Sequence, residues 1–267
     1  MTAYDKFLKE AESEYIDHER FSRVKNLITE EMDLRRKSNP YEAGGVGTLS
    51  EKSVHAILKN YIEPDRDCHE VALDGFFADV FKNGEVTEIQ TAQFGKLRDK
   101  LSVFLNNYNV TVVYPMAVNK WISRIDKTKR SAFRMSPLHM NEYFAFDELY
   151  AIKSFLTHPN LRVHLYMMDI EEIKIKVEKR RKRRGSGYER YDRIPIGLRK
   201  IVEFNCVNDY LQVVPPDLNE EFISSEFAQA AGISRSHASL VLNVLNETGV
   251  VIRTGKRGNS YLYKTAY

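Results

Sequence analysis

Cysteine, long apolar runs and a large net charge are what this sequence of 267 residues has least of. Its two cysteines, Cys68 and Cys206, lie far apart without metal-ligand spacing, which favours ordinary buried or partly buried thiols in a reducing, cytoplasmic setting. The N-terminus lacks the basic and apolar regions of a secretion signal, and no uncharged apolar run is long enough to span a bilayer. We therefore expect a protein that is neither secreted nor embedded in a membrane.

The charge balance limits how nucleic acid could be bound. The formal net charge is only +3, so any surface for nucleic acid has to be a local cluster of basic residues. Hydrophobic residues form 43% of the chain and aromatic residues 11%, which is ample for a buried core. The length fits one large domain or two of ordinary size.

A short hairpin carries the most informative signal. Asn83-Gly84 lies between two strand-like runs and predicts a two-residue turn. In that register Asp79 faces Glu88, with Cβ atoms about 5 Å apart. Such like charges are destabilising unless a divalent cation, a nearby base or protonation of one acid offsets them. Gln90 projects from the same face as Glu88, so the three side chains indicate a magnesium site beside a phosphodiester.

The chemistry of these residues suits hydrolysis of a phosphodiester. Two carboxylates can hold Mg²⁺ or Mn²⁺ while waters and a substrate phosphate fill the remaining positions. The metal lowers the pKa of a bound water, which Gln90 can orient by hydrogen bonding although it carries no charge. Lys96 and Lys100 on the following helix are the candidate cations. We predict Lys96, because it is closer in sequence to the acids.

The flanking segments predict an α/β core with a mixed sheet. A helix should begin near Thr48 or Ser50 and end before Pro64. The remaining predicted elements are strands at 69–73, 76–81 and 85–90, a helix at 93–107, a buried strand at 110–115, a helix at 142–156 and a strand at 161–177. Residues 119–140 are polar and basic, and their pattern assigns no element.

The two ends of the chain differ from this core. Apolar residues recur at helical intervals up to about residue 38, which predicts a two-helix arm that packs on the protein, with a dimerisation arm as the alternative. From residue 222 to 263 the pattern is helix, turn, helix, hairpin, which is the layout of a winged helix. Its second helix, 234–246, would read a DNA groove.

Residues for nucleic-acid contact follow from that layout. Helix residues and wing-tip residues would face DNA: Arg235, Ser236, Ser239, Asn243, Lys256 and Arg257. Binding of a protein partner is the alternative for such a domain. A basic run at 179–184 is either a solvated tether or a second phosphate-binding segment, through Arg180, Arg181, Arg183 and Arg184.

These motifs resemble the PD-(D/E)xK nuclease superfamily. Asp79 matches the acid of one strand, and Glu88-Ile-Gln90 matches the next strand with Gln in place of the usual Lys. Glu51 matches the further acid that many members carry on the preceding helix. The chain is more specifically similar to an uncharacterised bacterial family that joins such a core to a C-terminal winged helix, through Ser50–Ala56, Asp74-Gly75, Glu88–Thr91, His158–Leu161 and Gly255–Gly258.

The resemblance implies a restriction-endonuclease-like mixed sheet flanked by helices, with an N-terminal helical arm and a C-terminal winged helix. It implies a nuclease whose Mg²⁺ or Mn²⁺ is held by Asp79 and Glu88 with Glu51, acting on DNA, with RNA as an open alternative and a homodimer for double-strand cleavage. A non-catalytic DNA-binding protein or regulator is the alternative function. The expected domains are 1–40 (arm), 41–178 (nuclease-like), 179–193 (linker) and 194–267 (winged helix).

Overall fold

The computed structural model describes residues 2–38, 52–126, 129–176 and 187–266. The α-helices are α1 (Ala3–Glu12), α2 (His18–Ser38), α3 (Ser53–Ile62), α4 (Arg98–Phe104), α5 (Phe146–Leu149), α6 (Ser224–Ala231) and α7 (Arg235–Glu247). Short 3-10 helices cover Arg66–Cys68, Phe94–Leu97, Glu142–Ala145, Tyr150–Phe155 and Val207–Val213.

The strands form one large and one small sheet. The large sheet contains β1 (His69–Leu73), β2 (Phe76–Lys82), β3 (Glu85–Ile89), β4 (Asn109–Asp126), β5 (Lys129–Met135), β6 (Leu161–Lys176) and β7 (Tyr188–Phe204). Its order is β1-β2-β3-β4-β6-β7, and β5 pairs with β4. Because β2 and β3 are antiparallel while β3 and β4 are parallel, the predicted mixed sheet is confirmed. The small sheet has the order β8 (Phe222–Ile223), β10 (Ser260–Thr265), β9 (Val251–Arg257).

Turn chemistry fixes the β2–β3 hairpin. Asn83 has φ 52° and Gly84 has φ 81°, the left-handed pair that a two-residue turn of this kind requires. The register is the predicted one, with Val80 opposite Thr87 and Phe81 opposite Val86. Local sequence alone therefore determines which side chains share a face of this hairpin.

Several helical predictions differ from the structure. Residues 93–107 are a 3-10 turn followed by α4, and Gly95 within that turn lowers the helical propensity of the segment. Residues 142–156 are likewise divided into 3-10, α and 3-10 pieces, with Ile152 at non-helical φ and ψ. The predicted caps of α3 at Thr48 and Ser50 lie outside the described residues. Residues 119–140, unassigned from sequence, include the end of β4 and all of β5.

The described residues form two compact units, and the first comprises residues 1–69, 115–140 and 166–201. Its helices α1–α3 bury apolar residues that include Phe21, Ile57 and Leu58. Its polar centre is Asp169, which is fully buried and accepts hydrogen bonds from Tyr15 and Arg199. The predicted N-terminal helices are confirmed as α1 and α2.

The second unit comprises residues 70–114, 141–165 and 202–267. Phe94, Leu101 and Phe104 are buried within it and cover the β2–β4 region. The same unit contains α6, α7 and the small sheet, so the predicted order of helix, turn, helix and hairpin is confirmed as a series of elements. The sequence-based boundary at residue 194 falls inside β7, a continuous strand of the large sheet.

None of the helices in the described ranges combines the length and the apolar character needed to cross a bilayer. The longest helix, α2, is 21 residues long but contains many charged residues.

Candidate active site and nucleic-acid surface

Strand pairing brings the two predicted acids together. Asp79 on β2 is half-buried, whereas Glu88 on β3 is only 2% exposed. The amide of Ile89 donates a 2.7 Å hydrogen bond to Oδ2 of Asp79, and the amide of Asp79 lies 3.4 Å from Oε1 of Glu88. Each carboxylate therefore reaches the backbone of the opposite strand, as expected for side chains that face each other across a ladder.

Lys100 is the cation at this pair of acids. Its Nζ donates to Oε2 of Glu88 at 2.7 Å and to the backbone carbonyl of Phe77 at 2.7 Å. The prediction of Lys96 is corrected here, because Lys96 is exposed and, among the described residues, no salt bridge joins it to either acid. Lys96 belongs to the 3-10 turn before α4, whereas Lys100 lies within α4.

Burial and repulsion act on Glu88. Burial, and after it the charge of Asp79, raise the pKa of the Glu88 carboxyl to about 7, while Lys100 acts in the opposite direction. The carboxyl thus changes its charge close to neutral pH. A second cation would favour the ionised form of the pair.

Gln90 is the first residue after β3. Its backbone amide donates to the carbonyl of Val113 at 2.9 Å, and its side-chain amide donates to the carbonyl of Ala92. The side chain is therefore directed by local backbone rather than by either acid. Its assignment as the group that orients water stays a prediction.

The donor set matches a hard divalent cation. Mg²⁺ is commonly held by one or two carboxylates, with waters and substrate phosphates completing six oxygen ligands. Asp79 and Glu88 supply two such carboxylates side by side. Across the described ranges there is no cluster of three or more His, Cys, Asp or Glu side chains suited to a metal. Glu51, the predicted third acid, lies outside those ranges.

Comparison with known proteins gives a family. A model described as "Domain of unknown function (DUF8091)" matches residues 52–205. The chain belongs to this family. An uncharacterised protein of Treponema pallidum (strain Nichols) is 28% identical over 227 residues, which is 82% of this chain and 87% of that relative. No solved structure matches the chain significantly.

The DUF8091 match begins just before α3 and ends after β7. It therefore includes Asp79, Glu88 and Lys100, whereas α6, α7 and the small sheet follow it in the chain. The family model therefore covers the acid pair but not the C-terminal elements. The predicted DNA-contacting residues from Arg235 to Arg257 lie beyond the match, whereas the basic run at 179–184 lies within it.

One side of the first turns of α7 is open to solvent. Ser234 caps this helix by accepting a hydrogen bond from the amide of His237. Arg235, Ser236 and Ser239 are exposed. Arg235 donates to Oγ of Ser260 on β10 at 2.9 Å, which ties the helix start to the hairpin. The structure therefore brings these three predicted residues together on one exposed surface.

The later part of α7 faces its own unit. Lys153 donates a 2.9 Å hydrogen bond to Oδ1 of Asn243, and it also lies 3.4 Å from Glu247. The prediction that Asn243 faces a DNA groove is therefore corrected, since this part of the helix packs beside residues 150–155. His237, in the first turn of α7, also contacts its own unit, at the carbonyl of Tyr143, 3.1 Å away.

The predicted wing residues have different surroundings. Lys256 is exposed and lies 5.4 Å from the ring centroid of Tyr261. Arg257 pairs with Glu226 of α6 at 2.6 Å, so its charge is partly compensated within the unit. The predicted contacts of Arg180, Arg181, Arg183 and Arg184 lie outside the described residues.

Sequence reasoning missed Lys100 as the partner of Glu88 and did not single out Arg253 or Tyr261. A charge-compensating lysine could be suspected from its position on the helix after β3, but two lysines satisfied that description. Arg253 and Tyr261 carry a weaker signal, the alternation of polar and apolar residues along β9 and β10.

Proposed function

We propose that this DUF8091 protein is a metal-dependent phosphodiesterase that cleaves DNA. The observation that carries the proposal is the contact of Lys100 with Glu88, directly beside Asp79. Two acids and one cation meet on this hairpin, where Glu88 is buried and its pKa is perturbed, a combination that marks candidate catalytic side chains.

The residues take distinct roles in this proposal. Asp79 and Glu88, with Glu51 as an additional acid, hold Mg²⁺ or Mn²⁺. The bound ion supplies Lewis acidity and a lower pKa for its water. Lys100 compensates charge at Glu88 and at the phosphate, because its ammonium already lies within hydrogen-bond distance of the carboxylate. Gln90 orients the attacking water through its amide.

The C-terminal elements would deliver the substrate as a winged helix. Arg235, Ser236 and Ser239 at the exposed start of α7 support this assignment, together with Lys256 on the hairpin. The basic run at 179–184 would add phosphate contacts. Two copies of the chain would be needed for double-strand cleavage, and the two free cysteines suit the reducing cytoplasm.

Cleavage assays with matched variants test the proposal. Double-stranded, single-stranded and branched DNA, with an RNA strand for comparison, are incubated with the protein and Mg²⁺ or Mn²⁺. We expect cleavage that Asp79→Asn, Glu88→Gln and Lys100→Met each reduce at least 100-fold. Lys96→Met, which alters an exposed lysine of the preceding turn, should keep activity within about twofold of wild type. Equal activity in wild type and the acid variants would refute the catalytic assignment.

A second function, a non-catalytic DNA-binding regulator, is favoured by the same ion pair. Lys100 compensates Glu88 without any metal, and Gln90 occupies the position where the resembling nucleases have lysine. Calorimetric titration with Mn²⁺ distinguishes the two functions. A metal-dependent enzyme binds Mn²⁺ in wild type and loses that binding in Glu88→Gln. A regulator binds DNA equally well in both proteins and shows no Mn²⁺ isotherm.

A further inference from the structure

The hairpin of β9 and β10 carries an exposed aromatic residue flanked by cations. Tyr261 is 47% exposed although it lies in a strand. The guanidinium of Arg253 lies 4.4 Å from the Tyr261 ring centroid, and Nζ of Lys256 lies 5.4 Å from it. We call Arg253, Lys256 and Tyr261 the hairpin strip.

Strand register explains why these side chains meet. Tyr261 pairs directly with Lys256, and Tyr263 pairs with Arg253. A register shift between Leu262 and Tyr263 lies between these two pairs. Arg253 consequently contacts two tyrosines, at 4.4 Å from the Tyr261 centroid and 5.7 Å from the Tyr263 centroid. Tyr263 is buried at 4% exposure, whereas Tyr261 presents ring surface to solvent.

The charge of the hairpin is of one sign. Residues 250–266 contain four basic residues and no acidic residue. Only one of the four basic residues, Arg257, is seen in a salt bridge among the described residues, with Glu226 of α6. An anionic polymer is therefore the partner whose charge complements this surface.

We infer that the hairpin strip binds unpaired nucleotides of the substrate, with a base stacked on Tyr261 and phosphates contacted by Arg253 and Lys256. This inference rests on the proposed action on nucleic acid and specifies the form of the substrate. An exposed aromatic ring beside cations suits single strands, since every base has a face that can stack while the cations follow the backbone. Bases within a duplex are already stacked on one another and offer no such face to a side chain.

Binding of short oligonucleotides tests the inference. Fluorescence anisotropy in EDTA is measured with a fluorescein-labelled 12-nucleotide dT strand, the matching U strand and a 12-base-pair duplex. Tyr261→Ala should weaken binding of the single strands about 5- to 100-fold and duplex binding less than twofold, whereas Tyr261→Phe, which keeps the ring, should bind like wild type. The dT and U strands distinguish DNA from RNA as the source of the unpaired nucleotides.

A matched control tests whether any exposed tyrosine has this effect. Tyr150 is 45% exposed and has Lys153 at 4.8 Å from its ring centroid, but it lies outside the hairpin. Tyr150→Ala should change single-strand binding less than twofold. Unchanged single-strand binding in Tyr261→Ala, an equal loss for single strand and duplex, or an equal loss in Tyr150→Ala would each overturn the inference. Thermal melting of each variant establishes that the protein is folded.

The experiments distinguish failure of the catalytic proposal from failure of the hairpin inference. Glu88→Gln should bind the dT strand like wild type while losing cleavage. If wild type cleaves DNA but Tyr261→Ala binds single strands normally, the inference is wrong and the proposed activity stands. If no DNA is cleaved but single-strand binding depends on Tyr261, the enzyme proposal is wrong and the hairpin inference stands.

Discussion

Nζ of Lys100 lies 2.7 Å from Oε2 of Glu88, which joins a helical cation to a strand acid that is almost completely buried. Strand pairing alone leaves Glu88 beside the like charge of Asp79. The lysine offsets that repulsion, and its second hydrogen bond, to the carbonyl of Phe77, holds it against β2. The packing of α4 on the hairpin therefore supplies the cation that opposes this repulsion.

Removal of Lys100 should destabilise the fold as well as the site. In Lys100→Met, Glu88 remains buried without its cation, at a cost of about 2–4 kcal/mol in the free energy of unfolding. Lys96→Met should cost less than about 0.5 kcal/mol, because Lys96 is exposed. Urea denaturation at pH 8 measures both. Similar losses in the two variants would show that the ion pair of Lys100 with Glu88 adds nothing to the free energy of unfolding.

The stability of the metal-free protein should fall as pH rises through the titration of Glu88. In the fold the pKa of this carboxyl is about 7, compared with 4.5 for the ordinary group. Between these values the folded state binds a proton that the unfolded state has released, so unfolding becomes easier as pH rises toward 7 and changes no further above it. In Glu88→Gln, the loss in free energy of unfolding between pH 5 and pH 8 should be smaller than in wild type by about 1–3 kcal/mol. Urea midpoints at pH 5 and pH 8 in EDTA measure this change in stability. An equal change in wild type and in Glu88→Gln would contradict the prediction.

Replacing Gly84, in the turn between β2 and β3, should lower the stability of the protein. Gly84 has φ 81°, and an added Cβ would meet no atom within 4 Å, so Gly84→Ala should cost about 1–2 kcal/mol through backbone strain alone. Gly255 has equally open surroundings without a left-handed φ. Gly255→Ala is therefore the control, and it should change the thermal midpoint little. Equal shifts in the two variants would argue against strain as the cause.

Residues at the two ends of α7 should respond differently in nucleic-acid binding. Arg235→Ala should weaken duplex binding and reduce the slope of its salt dependence by about one, as expected for a lost phosphate contact. Asn243→Ala should leave binding unchanged and cost about 1 kcal/mol of stability, because it removes the acceptor of Lys153. Anisotropy at several salt concentrations measures the first effect and urea denaturation the second. Weaker binding in Asn243→Ala would restore its predicted role.

In the first unit, Asp169 should contribute strongly to stability. It accepts hydrogen bonds from Tyr15 at 2.9 Å, Asn119 at 2.8 Å and Arg199 at 2.8 Å, and it is fully buried. Asp169→Asn leaves Arg199 without its main counter-charge and should cost about 3–5 kcal/mol. Asp126→Asn, at the more exposed pair with Lys176, should cost less than about 1 kcal/mol. Comparable losses in a chemical denaturation series would contradict a special role for Asp169.

The parts of the candidate site that the sequence predicts are those set by interactions between residues close along the chain. The Asn83-Gly84 turn requires positive φ at both residues and therefore sets the register that places Asp79 opposite Glu88. The strands predicted at 69–73 and 85–90, which the structure places at 69–73 and 85–89, follow from the same alternation and turn residues. Ser234 caps α7 because its hydroxyl needs only an amide three residues away. In each case the interacting groups are close along the chain.

Tertiary packing decided the rest. Whether Lys96 or Lys100 reaches Glu88 depends on the 3-10 turn before α4, and the direction of Asn243 depends on the distant segment that contains Lys153. Residues 188–204 become one strand because the large sheet pairs them with β6 along the edge of the sheet. The sequence by itself therefore determined the hairpin and its two acids, through turn geometry and alternation. Only the folded chain determined which cation compensates them, because that choice depends on the packing of separate elements.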